Sequence, residues 1–440
     1  MARSRPFRTL RLGLIAASLL FACTRPPVAA VAPQAVWLLG GTVPVVPAGW
    51  RVETLLPDLH RVVVPLAEAV LAEAYLKGLA GTRFVEANRH YALTRPVSIA
   101  QISRPDPLPG FSTRPAAPMA WNLLLAGVDK AWTLTSGNRD LKVAVIDSGV
   151  DPHHPDLQDH LLPLVDVWVE TEGSDTLHTT TGDFDYDGRD GNGHGTHVAG
   201  ILAATLDTES GVSGVAPGVT VLPIKATDYE GNTSAFTLSR AIKRAVDEGC
   251  RVINISIGGP PDAVEGRALA QTVAFAISKG VVIVAATGNE SNRRIGEVAP
   301  VAIPAAYPGV IAVSAITDKE LIANYSNGGP ETVITAPGGG GNRREGAKIR
   351  STWPTYATFE GMKAHIDGPY AELAGTSMAC PHVAGAVALL LSREPTLTPA
   401  QVRVRLAATA IDVGPVGFDT ASGYGRLRVD AALHAAGPGG

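Results

Sequence analysis

Five short β-branched runs constrain this chain more than anything else in it: KVAVIDSG, VTVLPIKA, RVINISIGG, VVIVAATGN and VIAVSAI. Between them lie AFTLSRAIKRAVDEG and DAVEGRALAQTVAFAISKG, whose apolar residues recur at helical spacing. Apolar strands alternating with helices build βαβ units and a parallel sheet covered on both faces. The expected fold class is therefore α/β, with a mostly parallel, doubly wound sheet and helices on both faces. No internal repeat is seen. With 440 residues, 45% hydrophobic and 18% charged, the chain can bury a large core, which excludes disorder as an overall description. The 47 glycines and 33 prolines belong to the many turns that such an alternation needs.

What precedes this region is different in kind. Arg3, Arg5, Arg8 and Arg11 stand before an apolar run from Leu12 to Phe21 that ends in LFAC at Cys23. This reads as an export signal over residues 1–23, and the run is shorter than the roughly 20 apolar residues that span a bilayer. LFAC resembles the lipobox of bacterial lipoproteins, which assigns lipidation to Cys23 and gives the chain a membrane anchor. Ordinary signal cleavage near AVA, Ala30 to Ala32, is the alternative. Either way the expected location is extracytoplasmic. Residues from Gln34 to Ile102 combine the helical pattern PLAEAVLAEAYLKGLA with strand-like HRVVV and TRFVEA, a small α+β segment. The stretch SRPDPLPGFSTRPAAP, residues 103–118, holds five prolines and marks a linker or processing region. A net charge of -4 offers no electrostatic reason for a nucleic-acid partner. After the signal only Cys250 and Cys380 remain, too few for a disulfide framework, and both read as small core residues.

In parallel sheets chemistry gathers at the carboxyl ends of strands. Asp147 ends VAVID, Asn289 ends VVIVAATGN and Ser256 lies in NISIGG. Two further stretches carry reactive side chains: GNGHGTHVAG with His194, and GTSMACPHVAG with Ser377 at the mouth of an apolar helix. A serine hydroxyl becomes a nucleophile when a base takes its proton, and imidazole does this best when a carboxylate fixes its tautomer. Each residue alone has a plainer reading. Ser377 fits an N-cap and Asp147 a turn former. His194 and His197 fit a metal pair, although no third ligand stands at useful spacing and HExxH is absent. His197 and His382 sit in tight apolar runs and read as packing residues; His153 and His154, in the loop DPHHPDL, read as solvated or local cap residues.

Taken together, VAVIDSG, GNGHGTHVAG, NISIGG, AATGNE and GTSMACPHVAG resemble the motifs of subtilisin-like serine proteases, in the family's order and over roughly residues 119–437. The order Asp, His, Ser is that of subtilisin. The resemblance implies Asp147 as orienting carboxylate, His194 as general acid and base, Ser377 as nucleophile and Asn289 as side-chain donor of an oxyanion hole. It implies that Ser256, Ile257 and Gly258 pair with substrate backbone, with Tyr229 to Asn232, Gly231 among them, as the facing edge. Ala302 falls at a pocket position that is often glycine in the family, which hinders bulky residues before the scissile bond. Residues 24–102 take the place of the family's propeptide, a folding aid and inhibitor, with self-cleavage expected around 100–118.

No organic or redox cofactor is required, and calcium is a candidate structural ion. The acidic loop DFDYDGRDGNGH, Asp183 to His194, lacks the glutamate that an EF-hand needs at its twelfth position. Asp156 with the loop Thr205–Ser210 is the second candidate, with Thr208 where the family has asparagine. Two insertions relative to a minimal member, GGGGNRREGAK and TYATFEGMKAHIDGPYAE, are cleft loops or surface decoration, and His365 in the second reads as exposed. The expected function is peptide-bond hydrolysis through an acyl-enzyme. A lipase or esterase would carry GxSxG and the order Ser, acid, His. A catalytically silent surface binding protein is the alternative from another class.

Overall fold

The computed structural model describes residues 34–94, 96–101, 120–168, 189–206, 212–261 and 266–435. The expected export signal with Cys23, the proline-rich stretch 103–118, most of the acidic loop and Thr208 lie outside the described residues.

Seven strands form one sheet, in the order β15-β14-β13-β11-β7-β9-β8. They are β7 (Lys142–Asp147), β8 (Val165–Asp166), β9 (Thr220–Lys225), β11 (Val252–Ile255), β13 (Val282–Ala286), β14 (Ile311–Ile316) and β15 (Thr332–Pro337). Every pairing among them is parallel. The five central and flanking runs anticipated from sequence are all in it, and β11, β13 and β14 are buried at every position. That is what residues covered on both faces require. The helices Ala235–Asp247 and Arg267–Ser278 and the long helix Thr376–Arg393 provide the cover. Cys250 and Cys380 are free thiols buried in this core.

The amino-terminal segment is a body of its own. β1 (Gln34–Gly41), β2 (Arg51–Leu56), β3 (Leu59–Pro65) and β4 (Thr82–Ala87) form an antiparallel sheet in the order β2-β3-β1-β4. The helix Ala69–Gly78 closes a small core of Leu39, Val62, Val64, Ala72 and Leu76 against it. This body rests on the starts of two helices of the large domain. The Glu86 carboxylate accepts from the backbone N–H groups of Arg267 at 3.0 Å and Ala268 at 2.9 Å, and the Asn88 side chain accepts from Phe236 N–H at 2.9 Å.

From there the chain runs on through β5 (His90–Leu93) and β6 (Ser98–Gln101). β5 lies between β10 (Asn232–Ser234) and β12 (Ile257–Gly258), antiparallel to both. β6 is an edge strand beside the hairpin of β16 (Ile349–Thr352) and β17 (Tyr370–Ala374).

Candidate active site

Asp147 is the last residue of β7, so its side chain emerges at the carboxyl edge of the sheet. Its Oδ1 lies 2.8 Å from His194 Nδ1, with both side chains buried. Ser148 N–H donates to the same oxygen at 2.8 Å. An acceptor at Nδ1 fixes the proton there and leaves Nε2 as the basic nitrogen. His194 is the first residue of the helix His194–Ala203. Gly193, just before it, turns at φ 106°, and a side chain there would overlap the Trp353 ring, so only glycine serves.

Asp190, not singled out from the sequence beyond its place in the acidic loop, anchors this turn. Its carboxylate accepts from Gly193 N–H at 2.8 Å, Thr196 N–H at 2.9 Å, Thr196 Oγ1 at 2.6 Å and Ser148 Oγ at 2.8 Å. Burial raises its pKa, against the pull of those donors. A short polar residue just upstream of a helix start was the available signal.

Ser377 is the second residue of the helix Thr376–Arg393, where its N–H has no partner within the helix. Pro381 has no N–H to give the Ser377 carbonyl, and Ser256 Oγ donates to it instead at 3.2 Å. Asn289 stands opposite. Its Oδ1 accepts from Thr376 N–H at 2.9 Å and Thr376 Oγ1 at 3.0 Å, which turns its amide nitrogen into the cleft. Gly375 leaves the room: a Cβ there would lie 3.2 Å from the Asn289 amide nitrogen.

The cleft is filled by the chain's own Thr94. Ser377 Oγ donates to the Thr94 carbonyl oxygen at 2.7 Å, and Asn289 Nδ2 approaches the same oxygen at 3.4 Å. With Ser377 Oγ so engaged, His194 Nε2 has no hydrogen-bond partner. The structure thus joins Asp147 to His194 directly and brings Ser377 and Asn289 together around one carbonyl, without a hydrogen bond from Ser377 to His194. The upstream residues are held as an added strand. Leu93 N–H donates to Gly231 O at 2.8 Å and Thr94 N–H to Ser256 O at 3.0 Å. Ile257 and Gly258 stand opposite Leu93 and Ala92.

Tyr229 accepts from the Asn192 side chain through its carbonyl and packs edge-on to Phe359, 5.0 Å between ring centres. Phe359 begins the helix Phe359–Ala364, so the second insertion borders the cleft, and His365 at its end is exposed. Ala302 is buried, and its Cβ lies 3.1 Å from where a Cβ on Gly258 would be.

Of the candidate cation-site residues, Asp156 lies among the described residues. The Asp156 carboxylate accepts from Tyr370 OH at 2.8 Å, and its carbonyl accepts from Thr205 N–H at 2.9 Å. Among the described residues no three His, Cys, Asp or Glu side chains are grouped to hold a metal. His197 and His382 are fully buried packing residues, and burial lowers their pKa to about 3 and about 4.

A model of the subtilase family matches residues 138–425. Subtilisin E of Bacillus subtilis is 38% identical over 293 residues, 67% of this chain and 65% of that protein. Subtilisin of Bacillus pumilus is equally similar, with 90% of its length covered. The minor extracellular protease Epr of Bacillus subtilis is 33% identical over 71% of this chain and 41% of its own length. Among solved structures, fervidolysin of Fervidobacterium pennivorans, described as a keratinolytic enzyme related to subtilisin, superposes with a TM-score of 0.69 and 27% identity. That superposition covers 93% of this chain and 62% of fervidolysin.

Proposed function

Because the chain belongs to the subtilase family of serine endopeptidases, we propose that it hydrolyses peptide bonds with Asp147, His194 and Ser377 as a catalytic triad and Asn289 in its oxyanion hole. The observation that carries this reading is the Thr94 carbonyl, held between Ser377 Oγ and the Asn289 amide at the end of a paired strand. In the reaction Ser377 Oγ turns to His194 Nε2, gives up its proton and attacks the carbonyl carbon. Negative charge then grows on the oxygen beside Asn289 Nδ2. His194 passes its proton to the leaving nitrogen, while Asp147 holds the ring in one tautomer and stabilises the imidazolium. Water resolves the acyl-enzyme by the same route in reverse.

Substrates are protein segments in extended form, recognised through main chain by Gly231 and Ser256. Thr94 in the position before the reacting bond, together with Ala302 facing Gly258, favours small residues there. Residues 90–94, at the end of the amino-terminal body, lie in the cleft as a substrate would, which supports a role for that body as the enzyme's own inhibitor. Export rests on the sequence of residues 1–23, and Epr is by its name extracellular. Lipidation of Cys23 is tested by the mass of the mature amino terminus in detergent extracts; an unacylated start beyond Cys23 removes it.

The test is digestion of casein, an unstructured protein, with the peptides sequenced by mass spectrometry. Wild type is expected to cut after small residues, and Ser377→Ala to cut nowhere. Equal cutting by both proteins overturns the triad, and cutting after large aromatics overturns the pocket.

A further inference from the structure

The downstream half of the cleft is occupied too. Val97 N–H donates to Ala374 O at 2.8 Å. β6 then continues antiparallel to β17, with Ser98 opposite Ala374, Ile99 opposite Leu373, Ala100 opposite Glu372 and Gln101 opposite Ala371. β17 leads straight to Gly375 and Ser377, so this ladder lies on the leaving-group side of the bond after Thr94. Both insertions build it. The second contributes Tyr370 to Glu372 of β17 itself. The first faces Val97 across a cavity of about 310 Å³ bordered by Asn292, Tyr325, Gly341 and Glu345. A Cβ on Gly341 would lie 3.2 Å from a Val97 methyl, so glycine there keeps room for that side chain.

The Thr94 carbonyl at Ser377 makes the bond after Thr94 the one that self-processing meets first; we propose that the new amino-terminal strand then stays paired to β17, occupying the leaving-group side of the mature cleft. This rests on the hydrolytic reading above. In the step Ser377 Oγ bonds to the Thr94 carbonyl carbon, the C–N bond to residue 95 breaks, and the proton from Ser377 reaches that nitrogen through His194. Water, deprotonated by His194, then adds its hydroxyl to the acyl carbon; its proton passes through His194 to Ser377 Oγ, and Thr94 leaves as a carboxylic acid that ionises in solvent.

The two products differ in what still holds them. The upstream body becomes a separate molecule that dilution can remove. The downstream strand remains covalently joined to the large domain, with 18 residues between Gln101 and Ala120. A tether of that order gives an effective concentration of about 1 mM, enough to keep even a weakly paired strand in place. Without it β17 would present an open strand edge beside the nucleophile. A long substrate must displace the strand, whereas one with a small leaving group need not.

The test uses the full chain with the recognition sequence of an unrelated, sequence-specific protease inserted after Ile102. After self-processing and removal of the upstream fragment by gel filtration, amino-terminal sequencing is expected to begin at Arg95. Two substrates share Tyr-Ala-Leu-Thr before the scissile bond: one ends in p-nitroanilide, the other continues for seven residues between a fluorophore and a quencher. Excision of the strand by the second protease is expected to raise kcat/KM on the long substrate about tenfold and leave the p-nitroanilide rate unchanged. Added peptide RPVSIAQ should restore the earlier long-substrate rate. A different amino terminus, or rates that stay equal or change together for both substrates, overturns the proposal. Hydrolysis of the p-nitroanilide that is lost in Ser377→Ala preserves the protease reading in that case; no hydrolysis of either substrate fails that reading instead.

Discussion

Asn289 is useful because its other end is tied. Two donors from Thr376 on Oδ1 leave the amide nitrogen only the cleft to face. Asn289→Ala therefore removes a donor aimed at developing charge, and by analogy with measured losses of such donors kcat should fall about 10²- to 10³-fold with little change in KM. Unchanged kcat on a p-nitroanilide substrate would remove Asn289 from the reaction. The positions of Asp147, Asn289 and Ser377 were legible because each stands where a strand or helix ends, the place that local pattern marks. Thr376's hold on Asn289 was not, since it joins residues 87 apart. Thr94 was illegible for a related reason: nothing in HYALT distinguishes the residue that meets Ser377, which is decided by register against Gly231 and Ser256. The sequence pointed instead to the prolines of 103–118, where regular structure ends.

At the scale of elements, the amino-terminal body is held to the large domain largely through helix starts. Glu86 supplies negative charge where the helix Arg267–Ser278 has unpaired N–H groups, an arrangement worth about 0.3–2 kcal/mol. Glu86→Ala should weaken inhibition by this body and shorten the lag before activity appears in freshly refolded enzyme. A progress curve identical to wild type would contradict that role. The parallel sheet was predictable because strands buried on both faces must be apolar throughout. The strands β5, β6, β10 and β12 were harder to see, because runs this short owe their form to their partners. The sequence leaves the second insertion open between cleft loop and decoration, a choice that depends on where Phe359 meets Tyr229 in three dimensions.

Across the whole molecule, buried neutral histidines lower stability as the pH falls. His382 accepts from Asn122 Nδ2 at one ring nitrogen and donates to the Met378 carbonyl at the other, 2.8 Å each, a pattern that only the neutral ring satisfies. His382 and His197 have folded pKa values near 4 and 3 against an ordinary 6.5, so below about 6.5 the unfolded chain binds protons that the folded chain refuses. Each costs about 1.4 kcal/mol of stability per pH unit in that window. His154, expected from the sequence to be solvated or a local cap, is buried; burial lowers it and His160, adding in the same direction, while Asp190, raised by burial, opposes it above about 3.8. Thermal unfolding of the Ser377→Ala chain, which avoids self-digestion, should show Tm falling steadily from pH 7 to 4.5; a flat profile would contradict neutral burial. Catalysis as proposed requires Ser377 to be the activated hydroxyl. Its most direct measurement is intact-mass and peptide mapping of the processed enzyme after treatment with a fluorophosphonate. A single adduct is expected on Ser377, lost when Asp147 or His194 is replaced by alanine; no adduct, or labelling on another residue, would contradict the triad.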